Sequence, residues 1–153
     1  MATTIRAEIE IDAPIEEVWA ILADLPRYGE WNPFTPRVDG SLTVGKTVML
    51  HVMLGRKPPM RTPEVVSEVE IGRRFSWGRG GSSRILRASR RQVLEPLGGG
   101  RTRYVTADVF AGLLSPLVIA IYGKAVERGF RSVAEALKVR AESARKPASV
   151  AAT

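Results

Sequence analysis

The chain has 153 residues and a formal net charge of +7, with no cysteine and a single histidine. Its length suits one domain burying ~70% of its unfolded surface, and 44% hydrophobic with 25% charged residues excludes a disordered or fibrous chain. Without cysteine there is no disulfide, thiolate nucleophile or zinc–thiolate site; with one histidine there is no multi-histidine metal cage, and a Ser-His-Asp triad would have to use His51.

Ile5 to Ile11 alternates apolar and polar residues, the pattern of a half-buried strand. Asp12-Ala13-Pro14 ends it and starts a helix, with Pro14 suited to the first turn and Glu16 and Glu17 favoured by the helix dipole. Val18, Trp19, Ile21, Leu22 and Leu25 form a helical stripe that Pro26 stops. Tyr28, Trp31 and Phe34, broken by Gly29, Pro33 and Pro36, read as one helical turn and a loop. Strands follow at Arg37 to Leu42, Thr47 to Leu54, Glu64 to Ile71, Arg73 to Arg79, Leu86 to Pro96 and Arg101 to Phe110. Gly55-Arg56-Lys57-Pro58-Pro59 is a hairpin tip, and Gly98-Gly99-Gly100 turns the last hairpin. Ser115-Pro116 opens the longest helix, whose stripe runs from Leu117 through Val126 and Val133 to Leu137 and fades toward Arg140. The reading is a single domain over 3–142 and a loose tail over 143–153.

No apolar run approaches the ~18 residues of a membrane span, and the first residues lack a secretory stretch. A soluble cytoplasmic protein without stable membrane insertion is expected. Nine arginines and one acid, Glu95, lie between Arg73 and Arg103. Such a stretch can attract anions. Without interleaved aromatic rings it reads better as the solvent face of a sheet, which disfavours nucleic-acid binding.

Several stretches together resemble a known family. They are Ile11-Asp12-Ala13-Pro14 with Val18-Trp19, then Tyr28-Gly29-Glu30-Trp31-Asn32-Pro33-Phe34, Phe75-Ser76-Trp77, Leu94-Glu95-Pro96 and Phe110-Ala111-Gly112-Leu113-Leu114. The chain resembles the START-like helix-grip superfamily (SRPBCC), in its polyketide cyclase/dehydrase and lipid-transport subgroup. The resemblance implies an α+β fold in which a curved antiparallel sheet of about seven strands wraps a long C-terminal helix, with two short helices after the first strand. It implies no single activity, because the family hosts cyclases, hydrolases, receptors and carriers. Where the subgroup often carries a histidine and a glutamate on the last two strands, this chain has Arg90 and Asp108. A mechanism using that histidine as base does not transfer.

Strand alternation assigns the faces. Tyr104, Thr106, Asp108 and Phe110 share an inward face on the last strand; Arg90, Gln92 and Leu94 share one on the strand before. Setting Pro96 opposite Thr102 pairs Leu94 with Tyr104, Gln92 with Thr106 and Arg90 with Asp108. The candidate site is therefore a polar column of Arg90, Asp108, Gln92 and Thr106. Its apolar surround is Tyr104, Phe110, Phe75, Trp77, Leu50 and Val52, closed by Val118, Ile121 and Tyr122 of the helix. Trp31 lies either under the second helix or at the cavity mouth. Ordinary core packing is the competing reading for each apolar member, and a plain cross-strand ion pair is the competing reading for Arg90 and Asp108. Paired with arginine, Asp108 is expected to have a lowered pKa.

His51 falls on the outward face between Met49 and Met53, a set that would suit a homodimer contact better than catalysis. The expected function is binding of an apolar small molecule of lipid, polyketide or aromatic type between sheet and helix, with no cofactor and no metal. The alternatives are a polyketide cyclase/dehydratase-type enzyme, or a module that binds a protein or RNA partner through its basic outer face.

Overall fold

The structure is a computed structural model that describes residues 2–55 and 58–150. Seven strands form one antiparallel sheet: β1 (Ala2–Ile11), β2 (Arg37–Asp39), β3 (Thr47–Val52), β4 (Met60–Glu70), β5 (Arg74–Arg79), β6 (Arg87–Gly98) and β7 (Arg101–Ala111). Their spatial order is β1-β7-β6-β5-β4-β3-β2, so β1 and β2, neighbours in the chain, lie on opposite edges. The link between them is α1 (Ile15–Leu22) followed by a 3₁₀ turn at Leu25–Glu30. The long helix α2 (Ser115–Val150) packs chiefly on β1, and also on α1 and β7. This is the helix-grip architecture implied by the resemblance.

The β6–β7 register pairs Arg90 with Asp108, Gln92 with Thr106 and Leu94 with Tyr104, as alternation and the glycine turn require. The faces hold too: Val48, Leu50 and Val52 of β3 are buried, while Met49 and His51 on the other face are only part-buried. His51 Nε2 lies 2.9 Å from Asp39 Oδ2 on the neighbouring strand.

Four of the nine arginines in the basic stretch pair with carboxylates across the sheet. Arg74 reaches Glu68 at 3.1 Å and Glu70 at 2.6 Å, Arg91 reaches Glu68 at 3.3 Å, and Arg103 reaches Glu95 at 3.3 Å. Arg101 pairs with Glu10 of β1.

Several boundaries differ from the sequence reading: β1 begins at Ala2 rather than Ile5, and β2 ends at Asp39 rather than Leu42. β4 begins at Met60 rather than Glu64, adding Thr62 to the inward face. The helix continues past Arg140 to Val150, into the segment read as a tail. The turn after Arg140 has anchors: Ala141 is buried, Glu142 accepts from the Asp12 amide at 3.0 Å, and Arg145 donates to the Asp12 carbonyl at 3.1 Å. Residues 151–153 of that tail, and Arg56 and Lys57 of the hairpin tip, lie outside the described residues.

The C-terminal half of α2 carries the core contacts through Phe130, Val133, Leu137 and Ala141. Gly129 sits where the Phe34 ring crosses the helix, and any side chain there would overlap the ring. The N-terminal half stands off the sheet: between residues 116 and 125 no side chain is fully buried.

Candidate functional site

Where α2 stands off, it and the concave face enclose a cavity of about 280 Å³. That is room for about nine water-sized groups. Every strand from β3 to β7 contributes. Leu50 and Val52 come from β3, Thr62 and Glu64 from β4, Trp77 and Arg79 from β5, Ala88 and Arg90 from β6, and Asp108 and Phe110 from β7. Val118, Tyr122, Val126 and Phe130 form the helix wall; Phe34, Leu54 and Met60 complete the lining. Tyr122 and Met60, 37% and 40% exposed, mark the side on which it opens.

Of the residues singled out in the sequence, Arg90, Asp108, Phe110, Trp77, Leu50, Val52, Val118 and Tyr122 line the cavity. Gln92, Thr106 and Tyr104 sit behind it, buried on the same inward face. The Tyr104 hydroxyl donates to Gln92 Oε1 at 2.6 Å, and burial raises its pKa. Phe75 is core, its ring 5.0 Å from that of Trp77 and 6.1 Å from that of Trp19. Trp31 packs on Tyr28, with 5.2 Å between rings, and borders an outer groove with Ser132 and Arg140 instead of the cavity. Ile121 is 61% exposed and does not line the cavity, because the helix turns it away from its neighbour Tyr122.

Arg90 and Asp108 stand opposite in register, but no ion pair joins them among the described residues. Arg90 donates through Nε to Thr106 Oγ1 at 3.0 Å, and its guanidinium lies 4.4 Å from the centroid of the Phe130 ring. Its Nη2 has no protein partner, and neither has Asp108 Oδ1. Burial therefore dominates Asp108 and raises its pKa from 3.8 to about 6, against the pull of Arg90, Arg79 and a bond from the Ser89 backbone. This corrects the lowered value expected from the sequence.

Glu64 is the second carboxylate. Burial raises it from 4.5 to about 7, helped by the charge of Asp108 and opposed by Arg90 and Arg79. Arg79 in turn donates to Thr62 Oγ1 at 3.2 Å. Glu64, Thr62 and Arg79 were absent from the sequence-based site. Alternation could have found Glu64 and Arg79, since Glu64 is in phase with buried Val66 and Arg79 with Trp77, whereas Thr62 lies before the strand read from the sequence. Two carboxylates poised near neutrality, beside the buried Arg90 and the more exposed Arg79 of a mostly apolar cavity, can exchange protons and polarise an oxygen. Among the described residues no three metal-ligating side chains cluster, and no helix is long and apolar enough to cross a membrane.

A profile of the family described as polyketide cyclase / dehydrase and lipid transport matches residues 2–142. The chain belongs to that family. No curated protein matches the sequence significantly. Among solved structures, this member of the polyketide cyclase / dehydrase family is similar to the Zhui aromatase/cyclase from Streptomyces sp. R1128. The two are 20% identical with a TM-score of 0.78, over 97% of this chain and 98% of that one. It is also similar to norcoclaurine synthase from Thalictrum flavum, solved in complex with dopamine and hydroxybenzaldehyde. There the identity is 14% and the TM-score 0.67, over 90% and 85% of the two chains. A di-domain aromatase/cyclase, BexL from the BE-7585A biosynthetic pathway, is 20% identical with a TM-score of 0.73. That alignment covers 95% of this chain and 48% of BexL. Identities this low establish a shared helix-grip fold and leave the chemistry to each protein's own cavity.

Proposed function

We propose that this protein binds a small, mostly apolar molecule, bicyclic in size and carrying an acceptor oxygen, in the cavity between sheet and α2. One observation carries this reading: two buried donors without protein partners, Arg90 Nη2 and Trp77 Nε1, belong to side chains that line the same apolar enclosure. Arg90 is 5% exposed and Trp77 1%, and their backbones are direct register partners on β5 and β6. A buried donor left unpaired costs about 1–3 kcal/mol. A carbonyl or phenolic oxygen between them would recover that cost, while Leu50, Val52, Phe110 and Val118 take the apolar body.

Calorimetric titration with 1-tetralone and with tetralin, the same rings without oxygen, tests the reading. 1-Tetralone should bind more tightly, and Arg90→Met should remove the preference, weakening 1-tetralone by roughly tenfold or more. Equal binding of the two compounds, or an unchanged preference in Arg90→Met, refutes it.

The near-neutral carboxylates favour a second reading, acid–base turnover of a polyketide-type substrate. Arg90 and Arg79 would polarise a carbonyl while Glu64 moves the proton. Cyclisation of a poly-β-keto thioester that is lost in Glu64→Gln would support it. No turnover by the native chain excludes it.

A further inference from the structure

Five exposed large aliphatic side chains gather at one end of the molecule, whereas the others, Val44, Val65, Ile71, Val109 and Val139, are scattered over the rest of the surface. Gly112, at a φ of 105°, brings the chain against the 84–85 segment, where the Leu113 amide donates to the Arg84 carbonyl at 2.9 Å and the Leu114 amide to the Ile85 carbonyl at 2.8 Å. The two segments form one tip bearing Ile85, Leu113 and Leu114, 59%, 82% and 45% exposed. Leu117 and Ile121 extend it along the first two turns of α2, on the face turned away from the cavity residues Val118 and Tyr122. Soluble surfaces rarely gather so many large aliphatic groups unless something covers them.

The charge around this tip has a single sign. Residues 78–94 and 111–126 contain no aspartate or glutamate. Arg84 and Arg87 flank the tip, and Lys124 and Arg128 continue the Leu117–Ile121 stripe at helical spacing. All four cations are exposed, and none has a carboxylate partner among the described residues, unlike the arginines on the outer sheet face.

We propose that this end of the molecule docks peripherally on an anionic lipid bilayer, with the aliphatic tip in the interface and the four cations at the headgroups. The combination matches what interfacial binding needs, apolar area plus adjacent positive charge. The open side of the cavity, marked by Tyr122, lies beside the docked turn. A second copy of the chain fits poorly, because a two-fold contact would set these four cations against four. A nucleic acid fits poorly because the tip is aliphatic and offers no stacking rings.

Flotation with phosphatidylcholine vesicles, and with vesicles in which one-third of the lipid is phosphatidylglycerol, tests the proposal. The native chain should float with the anionic vesicles only and be released at roughly 0.5 M salt, where screening shortens to a few ångströms. Each cation close to such a surface strengthens partitioning roughly fivefold, so Arg84→Ala with Lys124→Ala should weaken it on the order of 25-fold. Leu117→Asp with Ile121→Asp should abolish flotation. Both positions are exposed, so the variant should keep its thermal melt and its 1-tetralone titration, which separates failure of docking from failure of the cavity reading. Equal recovery with neutral vesicles, no recovery with either, or undiminished flotation of the Asp variant overturns the proposal. So does a native dimer in light scattering that the Asp variant converts to monomer, which would make a second copy the occupant.

Discussion

Replacing Glu64 by glutamine makes the acidity of the cavity measurable as stability. Burial, reinforced by the charge of Asp108, raises the Glu64 carboxyl from 4.5 to about 7. Between those values the folded chain keeps a proton that the unfolded chain has released. The folded pKa is the higher one, so this contribution is intact below pH 4.5 and is lost as pH rises through about 7. At about 1.4 kcal/mol per pH unit, the accumulated loss reaches at most about 3 kcal/mol by pH 8. Glutamine preserves the shape and has no charge to bury. The variant should match the native chain at pH 4.5 and exceed it by up to about 3 kcal/mol at pH 8. For a domain of this size that is a rise of roughly 6–12 °C in Tm. Scanning calorimetry from pH 4.5 to pH 8 measures it. An offset between the two proteins that does not change with pH, or a glutamine variant that is the weaker one at pH 8, would show that Glu64 is solvated and refute the argument.

Gly129→Ala gains about 1 kcal/mol of helix propensity, but the new methyl overlaps the Phe34 ring, so a net loss of about 1–2 kcal/mol is expected in urea unfolding. The displaced ring should also shrink the cavity and weaken 1-tetralone; a stabilised variant would contradict the packing. Tyr104→Phe removes the bond to Gln92 Oε1 and leaves a buried acceptor unpaired, a loss of about 1–3 kcal/mol that should lower the urea midpoint without changing its slope. His51→Gln should leave 1-tetralone binding unchanged, since the ring lies on the far face with Asp39. His51 and then Arg37 lower the Asp39 pKa, so that contribution is present above 3.8 and lost as pH falls through the folded value. The variant should therefore lose less stability than the native chain on acidification below about pH 4, and an identical acid limb would remove His51 from that role.

The sheet was largely legible in the sequence because period-two alternation and a glycine turn leave little freedom. Pro96 and Thr102 flank Gly98 to Gly100, and once they are set opposite one another, Arg90 must face Asp108. The start of β4 was not legible. Pro58, Pro59 and Pro63 mask the alternation before Glu64, and with it the inward placing of Thr62. The electrostatics of Asp108 were also out of reach. Register sets which backbones are adjacent, whereas the Arg90 side chain takes its direction from Thr106 on β7 and Phe130 on α2. Those partners are distant in sequence. Ile121 misled for a simpler reason: it and Tyr122 both fit a loose apolar stripe, and only the standing-off of α2 separates an outward neighbour from an inward one.

The pairing of the first strand with the last has a consequence for synthesis. Ala2 finds its partner at Ala111, so the N-terminal strand leaves the ribosome long before the strand that will cover it exists. Until then a strand with one aliphatic face and unpaired amides waits in solution, open to neighbouring nascent chains. Closure of the sheet is then a late, long-range step, and such a topology folds slowly compared with a bundle of local contacts. Yield on overexpression should accordingly respond to lower temperature and slower translation more than to any change in the finished cavity.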